Sequence, residues 1–442
     1  AILAIFLIIR IFFALRARRK KTVEVASLKQ DLMIWSRLSS LVHGGKKTDK
    51  AKLELNNKLL TIDSLFNDAK SIIKEFKYLG QDQRWFIMLG EPSCGKSTCL
   101  QNSNNEFKVS IKEGKIKPPV KFYINYNTVF VDVSGKAFFD NWLGGSSAEW
   151  SYICEKIRKA NHRKPLDAIV LNISAESLIA DDKELTRKKA NLMVSELLRL
   201  TTTLRMLLPV YVNITKLDVI SGFREYFAGL DDQGIRQPVG YQPTVMDGFF
   251  NPDDFEAFFV RFVKRLRDGA VGQMQRADVA DLIMQNESRS QITANMYIFP
   301  GALNEIKDNL LLYLEVIFGN EALRGKPALV FSGLYFSSAE DKGYCLSRRF
   351  ASMQNMSVDD APLSASTNVN SRPYFISSFI SKIVGVSQNA AQFTKRELFI
   401  RRIPRYTCYA CLGILSIVYW YGSLVKAPEL EKRLQDDTYF YR

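Results

Sequence analysis

Arg84-Trp85-Phe86-Ile87-Met88-Leu89-Gly90-Glu91-Pro92-Ser93-Cys94-Gly95-Lys96-Ser97-Thr98 is the stretch that decides the fold. Its aromatic and aliphatic first half reads as a buried strand. The next eight residues complete G-x-x-x-x-G-K-S/T, and Thr98-Cys99-Leu100-Gln101 can open a helix. Strand, glycine-bounded loop and helix, in that order, are the context in which this pattern holds phosphate. The glycines let the backbone curl until its N–H groups surround phosphate oxygens. Lys96 then reaches the β- and γ-phosphates, and the Ser97 hydroxyl ligates Mg²⁺. The candidate nucleotide-binding residues are therefore Gly90, Glu91, Pro92, Ser93, Cys94, Gly95, Lys96, Ser97 and Thr98, with ATP or GTP as the expected ligand.

Downstream segments extend a sheet from that strand. Asn127-Thr128-Val129-Phe130-Val131-Asp132 reads as a second buried strand ending in an acid, followed by Val133-Ser134-Gly135. An Asp at such a strand end beside a phosphate loop holds Mg²⁺, and the glycine of D-x-x-G senses the γ-phosphate. Ser97 and Asp132 are thus the candidate metal residues, and Gly135 joins the nucleotide set. A third strand is expected over 167–173, an amphipathic helix over 192–207, and a fourth strand over 209–214. Strands alternating with helices predict an α/β fold, a P-loop NTPase-like parallel sheet with helices on both faces. Thr215-Lys216-Leu217-Asp218 follows the fourth strand as an N/T-K-x-D element, whose carboxylate accepts two N–H bonds from guanine. The alternative is a strand-end turn with Asp218 capping the next helix.

Beyond this region the character changes. Asn251-Pro252-Asp253-Asp254 is a strong helix start. Phe255, Phe258, Phe259, Phe262, Val263 and Leu266 follow at helical spacing, with Gly269 as the expected stop. Residues 270–320 continue helical, 328–336 reads as a further strand, and the Ser/Asn/Asp/Ala-rich segment 352–372 as a mobile loop.

Composition and charge place the chain at a membrane. Its 442 residues are 47% hydrophobic, enough for sizeable cores, and carry a formal charge of +15. Arg16, Arg18, Arg19, Lys20 and Lys21 follow one apolar segment, while Lys395, Arg396, Arg401, Arg402 and Arg405 precede another. That placement fits the positive-inside rule better than a nucleic-acid patch, so no nucleic-acid partner is expected. Tyr406–Val425 holds no charge and is long enough to span a bilayer, with Tyr406, Tyr409, Tyr419, Trp420 and Tyr421 toward its ends. Residues 1–15 read as the end of another transmembrane helix. The expected layout is 16–80 helical and membrane-proximal, 81–235 the P-loop domain, 236–405 a mainly helical subdomain with an added strand, 406–425 a span, and 426–442 the start of a periplasmic region. This makes a multi-pass inner-membrane protein with 16–405 in the cytoplasm, and a fragment of something longer. Cysteines 94, 99, 154, 345, 408 and 411 form no disulfide framework, and Cys408 and Cys411 read as small packing residues of the span. His43 and His162 have no companions for a histidine metal site or triad.

Several segments, in this order, resemble the IcmF (TssM) family. They are Trp85 to Leu100, Val129 to Gly135, Arg163-Lys164-Pro165-Leu166 through Leu171, and Leu208-Pro209-Val210-Tyr211-Val212 through Thr215-Lys216-Leu217-Asp218 to Gly222-Phe223-Arg224-Glu225-Tyr226-Phe227. Tyr297-Ile298-Phe299-Pro300 and Ser332-Gly333-Leu334-Tyr335-Phe336 also match. The resemblance implies an inner-membrane scaffold of type VI secretion or of the related Dot/Icm type IVB system, present in several copies. It further implies a DotU (TssL)-like inner-membrane partner, and a periplasmic or outer-membrane lipoprotein partner for a C-terminal part. Two departures stand out: Ser93-Cys94 replaces the family's usual Gly-Ala, and D-T-A-G-R-Y appears as Asp132-Val133-Ser134-Gly135-Lys136-Ala137. With no glutamine after Gly135 to orient water, the implied activity is at most a weak NTPase. The competing reading is a membrane-anchored NTPase whose hydrolysis powers secretion. A receptor GTPase of signal-recognition type fits neither the spans nor the 163–227 block.

Overall fold

The computed structural model describes residues 46–77, 83–103, 105–110, 118–139, 148–161, 163–243, 250–274, 289–319, 329–339, 372–387 and 390–439. The expected N-terminal span at 1–15, nearly all of the 352–372 loop, Cys345 and both histidines lie outside them.

The sheet grows around β1 (Arg84–Gly90), whose residues 85–90 are all buried. Its parallel neighbours are β4 (Thr128–Val133) and β5 (Ala168–Ser174). Next come β6 (Met206–Thr215) and β8 (Leu329–Phe336), again parallel. Continuous runs of Val, Ile, Leu and Phe suit strands covered on both faces. The expected parallel sheet is nevertheless only the centre of a mixed one. At one edge β3 (Val120–Ile124) runs antiparallel to β4, and β2 (Lys108–Ser110) antiparallel to β3. At the other edge β7 (Val239–Tyr241) runs antiparallel to β8, giving the order β2-β3-β4-β1-β5-β6-β8-β7. The strand expected at 328–336 is β8, and it sits inside the sheet beside β6.

Alternation along the strands feeds two layers. Phe86, Met88, Tyr123, Phe130, Val170, Tyr211 and Tyr335 share a core with Cys99 and Leu100 of α2 (Lys96–Gln101) and with Ile376, Phe379, Ile380 and Ile383 at α12 (Ser377–Val386). The opposite face carries α1 (Lys46–Lys77), where Phe66 meets Phe122 of β3 edge-to-face. It is completed by α4 (Ala148–Ala160), α6 (Lys183–Leu204) and α11 (Lys307–Phe318), after the short α3 (Gly135–Phe138) and α5 (Ala175–Ala180). The amphipathic helix expected at 192–207 is α6. It begins nine residues earlier, and Arg205 in the left-handed region (φ 55) turns the chain into β6.

The region from 223 to 318 builds a helical layer: α7 (Phe223–Phe227), α8 (Asp232–Arg236), α9 (Pro252–Met274), α10 (Arg289–Glu305) and α11. Asn251 starts α9 as expected, its Oδ1 accepting the Asp253 N–H at 3.1 Å. Phe255, Phe259 and Val263 are buried, each worth about 1.5–3 kcal/mol of removal from water. Gly269 does not end the helix, which runs on to Met274. A Cβ there would stand 2.8 Å from the Tyr226 hydroxyl, so the glycine serves close packing rather than termination.

A second compact unit comprises 205–207 with residues from Gln392 onward. In it β9 (Gln392–Phe393) pairs antiparallel with Met206 and Leu207, and α13 (Lys395–Tyr439) follows. Among the described residues α13 is the one helix long and apolar enough to cross a membrane. Leu412, Ile414, Ile417, Val418 and Trp420 are all exposed on it, unlike the core helix of a soluble unit.

Candidate functional site

Strand register places the site. Met88 pairs with Asp132, Gly90 with Asn172, and Ser174 with Thr215, so four strand ends converge at the carboxyl edge of the sheet. Ligands bind at that edge in open α/β sheets. The loop leaves β1 through Gly90 (φ 147), where a Cβ would stand 2.2 Å from the Asn172 carbonyl oxygen. Ser93 (φ 58) and Gly95 (φ 87) take left-handed conformations and complete the curl into α2. Pro92 and Ser93 are exposed, whereas Glu91, Cys94 and Lys96 are buried.

Lys96 folds back over its own loop. Its ammonium donates to the Gly90 carbonyl at 3.0 Å and to the Glu91 carbonyl at 2.8 Å. Ser97 Oγ donates to Asp132 Oδ2 at 2.5 Å. Burial raises the Asp132 carboxyl above its ordinary value of 3.8, while Lys96, the Ser97 bond and Lys121 pull it back down. A hydroxyl and one carboxylate are hard oxygen donors, and Mg²⁺ is usually held by such a sparse set together with substrate phosphates. The pair fits that ion. Among the described residues no cluster of three His, Cys, Asp or Glu offers another metal site. Gly135 lies against the loop, since a Cβ there would come within 2.3 Å of the Pro92 nitrogen. Tyr123 on β3 is a site neighbour that sequence reading missed. Its buried hydroxyl borders Ser97 and Asp132, and its pKa is pushed up to about 12 by burial and by Asp132.

The element after β6 abuts the same loop. Thr215 Oγ1 donates to the Cys94 carbonyl at 2.5 Å, and a Cβ on Gly95 would touch Thr215 and Lys216 at 3.8–3.9 Å. Lys216 pairs with Glu176. Asp218 is buried and accepts the Ser338 hydroxyl. The next α-helix begins after Gly222 (φ 79), four residues beyond Asp218. The structure thus gathers every candidate from Gly90 to Thr98 with Asp132, Gly135, Thr215 and Lys216 around one loop, and holds Asp218 in the turn that follows β6. A cavity of about 600 Å³, bounded by Arg84, Asn125, Thr128 and Ile380, lies at the amino ends of β1 and β4, the far end of the sheet.

The model of the IcmF-related N-terminal domain matches residues 144–412, more than half of the chain. The chain belongs to the IcmF-related family. The phosphate loop precedes the matched residues. Among curated proteins, this IcmF-related chain is 24% identical over 346 residues to the type VI secretion system component TssM1 of Pseudomonas aeruginosa. That alignment covers 74% of the chain and 30% of TssM1, so the chain spans under a third of its relative's length. Solved structures found by comparison include the small COPII coat GTPase SAR1 of Encephalitozoon cuniculi in complex with GDP, at 13% identity and a TM-score of 0.23. It covers 64% of this chain and 98% of that one. A GDP-bound S. thermophilus NFeoB mutant gives 13% identity, 55% and 98% coverage, and a TM-score of 0.21. At such scores the likeness carries no argument, and the fold assignment rests on the strand order and loop geometry above.

Proposed function

We propose that this IcmF-related chain is the membrane-anchored cytoplasmic part of a secretion-system scaffold, with a nucleotide site of regulatory or weakly hydrolytic use. Kinship with TssM1 favours type VI secretion over the Dot/Icm type IVB system. The exposed apolar surface of α13, with Lys395, Arg396, Arg401, Arg402 and Arg405 before its charge-free stretch, supports an inner-membrane span with the preceding residues in the cytoplasm. In this reading a DotU/TssL-like protein meets the cytoplasmic region, and sequence beyond this chain reaches a periplasmic or outer-membrane lipoprotein. Several copies build the complex.

The observation that carries the nucleotide part is the convergence of Lys96, Ser97 and Asp132 at the end of β1. Backbone N–H groups of the loop and the Lys96 ammonium bind the phosphates of ATP or GTP, and Ser97 with Asp132 hold Mg²⁺. A bound ion would supply charge neutralisation on the β- and γ-phosphates. Lys136 and Ala137 follow Gly135 where a glutamine would orient water, which favours regulation over rapid turnover. The same Ser97–Asp132 pair favours a second reading, an NTPase whose hydrolysis powers secretion.

Lys96→Ala and Asp132→Ala separate the two. Losing Lys96 removes charge-assisted bonds of about 1.5–3 kcal/mol each, roughly ten- to a hundredfold in nucleotide affinity. A scaffold still co-purifies with its membrane partners and supports secretion. Variants that assemble normally yet abolish secretion would establish the motor instead. Variants that fail to assemble would make nucleotide a structural cofactor.

A further inference from the structure

Glu91, one residue into the phosphate loop, sends its carboxylate into the helical layer. Oε2 accepts Ser177 Oγ of α5 at 2.6 Å and Lys189 Nζ of α6 at 3.2 Å. Oε1 accepts the Tyr313 hydroxyl of α11 at 3.0 Å. Lys189 also reaches Asp181 Oδ2 at 2.6 Å, and Asn309 of α11 donates to the carbonyls of Leu178 and Asp181, each at 2.9 Å. Three helices therefore close on one loop residue. The main chain of that residue is engaged as well. Its carbonyl accepts Lys96, and Gly135 presses on its carbonyl carbon, where a Cβ would come within 2.5 Å.

A buried acid with satisfied partners can be a plain anchor, and many are. Two features go further here. Lys96 uses its three N–H donors on the Gly90 and Glu91 carbonyls and on Cys94 Sγ at 3.5 Å, so a bound phosphate displaces at least one bond within the loop that α11 grips through Glu91. A carboxylate in a phosphate loop also opposes an anionic ligand unless a cation balances it, and Lys189 is that cation.

We infer that Lys189 and Tyr313 are positioning residues for the phosphate loop, acting through Glu91, so that nucleotide occupancy and the docking of α11 are coupled. The inference rests on the nucleotide-binding reading. Linkage makes the coupling reciprocal: nucleotide steadies α11, and loosening α11 weakens nucleotide.

The test uses the full chain purified in detergent, titrated calorimetrically with Mg²⁺–GDP and Mg²⁺–ADP, with amide exchange followed over residues 307–318. Tyr313→Phe is expected to weaken binding about fivefold or more, and Lys189→Met by roughly ten- to a hundredfold, within the range of ordinary couplings. Glu91→Gln placed on Lys189→Met should recover most of that loss, because it removes the unbalanced charge. Nucleotide should slow exchange in α11 of the wild type. Affinity unchanged within twofold in these variants, with exchange in α11 indifferent to nucleotide, overturns the coupling and leaves Glu91 an anchor, whatever happens to thermal stability. A wild type that binds neither nucleotide at millimolar concentration overturns the nucleotide reading itself, and the coupling with it.

Discussion

Ser97 and Asp132, 35 residues apart in sequence, meet in a 2.5 Å hydrogen bond between α2 and the end of β4. The bond joins the two candidate metal donors to each other, and it does so around a carboxyl whose affinity for protons is raised by burial. Folding therefore disfavours this acid as a carboxylate, and a bound cation would favour it.

A pH dependence follows from the sign of that shift. Because the folded-state pKa of Asp132 lies above 3.8, the native protein binds this proton more tightly than the unfolded chain. Stability from this group is present at low pH and is lost as pH rises from the ordinary value through the raised one. Asp132→Asn keeps an acceptor for Ser97 without the charge. In thermal unfolding between about pH 4 and pH 8, the nucleotide-free variant should exceed wild type at the upper end, the gap closing toward acid. With Mg²⁺ and nucleotide the order should reverse. A variant less stable than wild type at every pH in the apo state contradicts this account.

The loop backbone makes a second prediction. Gly90→Ala drives a Cβ to 2.2 Å from a backbone oxygen, a clash no rotamer relieves. A cost of about 2–4 kcal/mol is expected, read as a fall in Tm of about 2–5 °C. Ser93 is a non-glycine residue in the left-handed region. Ser93→Gly relieves about 1 kcal/mol of backbone strain, offset by about 0.5–1 kcal/mol of added freedom in the unfolded chain. Its Tm should stay near that of wild type. Equal losses for both substitutions would show that the curl is not set by these dihedrals.

The contrast between these two positions also marks what sequence reading can reach. The strand–loop–helix unit and its parallel neighbours were legible because short runs such as Val129-Phe130-Val131 and Ala168-Ile169-Val170-Leu171 are apolar without interruption, as in strands covered on both faces. The edge strands were not. Lys108-Val109-Ser110 and Val239-Gly240-Tyr241 are three residues long and gain their identity from the partner they pair with. Gly269 misled because glycine serves tight packing as readily as helix termination, and only the neighbour, Tyr226, tells which. The phosphate-loop residues were legible by spacing. The grip on Glu91 was not, since its partners lie 86, 98 and 222 residues away and no local pattern announces them.

Topology offers a third prediction. Ala257 is exposed on α9, while the described native cysteines before α13, Cys94, Cys99 and Cys154, are buried. If α9 lies in the cytoplasm, Ala257→Cys should gain no labelling over wild type when intact cells meet a membrane-impermeant thiol reagent, and should label after lysis. Labelling in intact cells would place this region on the periplasmic side and reverse the orientation of α13.

The last prediction concerns which base the site prefers. Asp218 stands in the turn after β6, three residues beyond Thr215, whose hydroxyl is bonded to the phosphate loop at Cys94. Its carboxylate is held by Ser338, just past β8, and Ser338 is itself fixed by reciprocal backbone bonds with Tyr374 at 2.7 and 3.2 Å. A carboxylate held by Ser338 in the turn after β6 is suited to accept a pair of N–H groups, which guanine presents and adenine does not. Each charged hydrogen bond of this kind is worth about 1.5–3 kcal/mol, enough to favour guanine roughly tenfold or more. Asp218→Asn replaces one acceptor oxygen by a donor, so guanine should lose affinity and xanthine should gain it. Ser338→Ala removes one bond to the carboxylate without changing its charge, and should blunt the preference without moving it to xanthine. The measurement is competition among GDP, ADP and XDP on wild type and both variants. Equal binding of the guanine and adenine nucleotides, unmoved by Asp218→Asn, would make the Asp218–Ser338 bond a brace between β6 and β8 and nothing more.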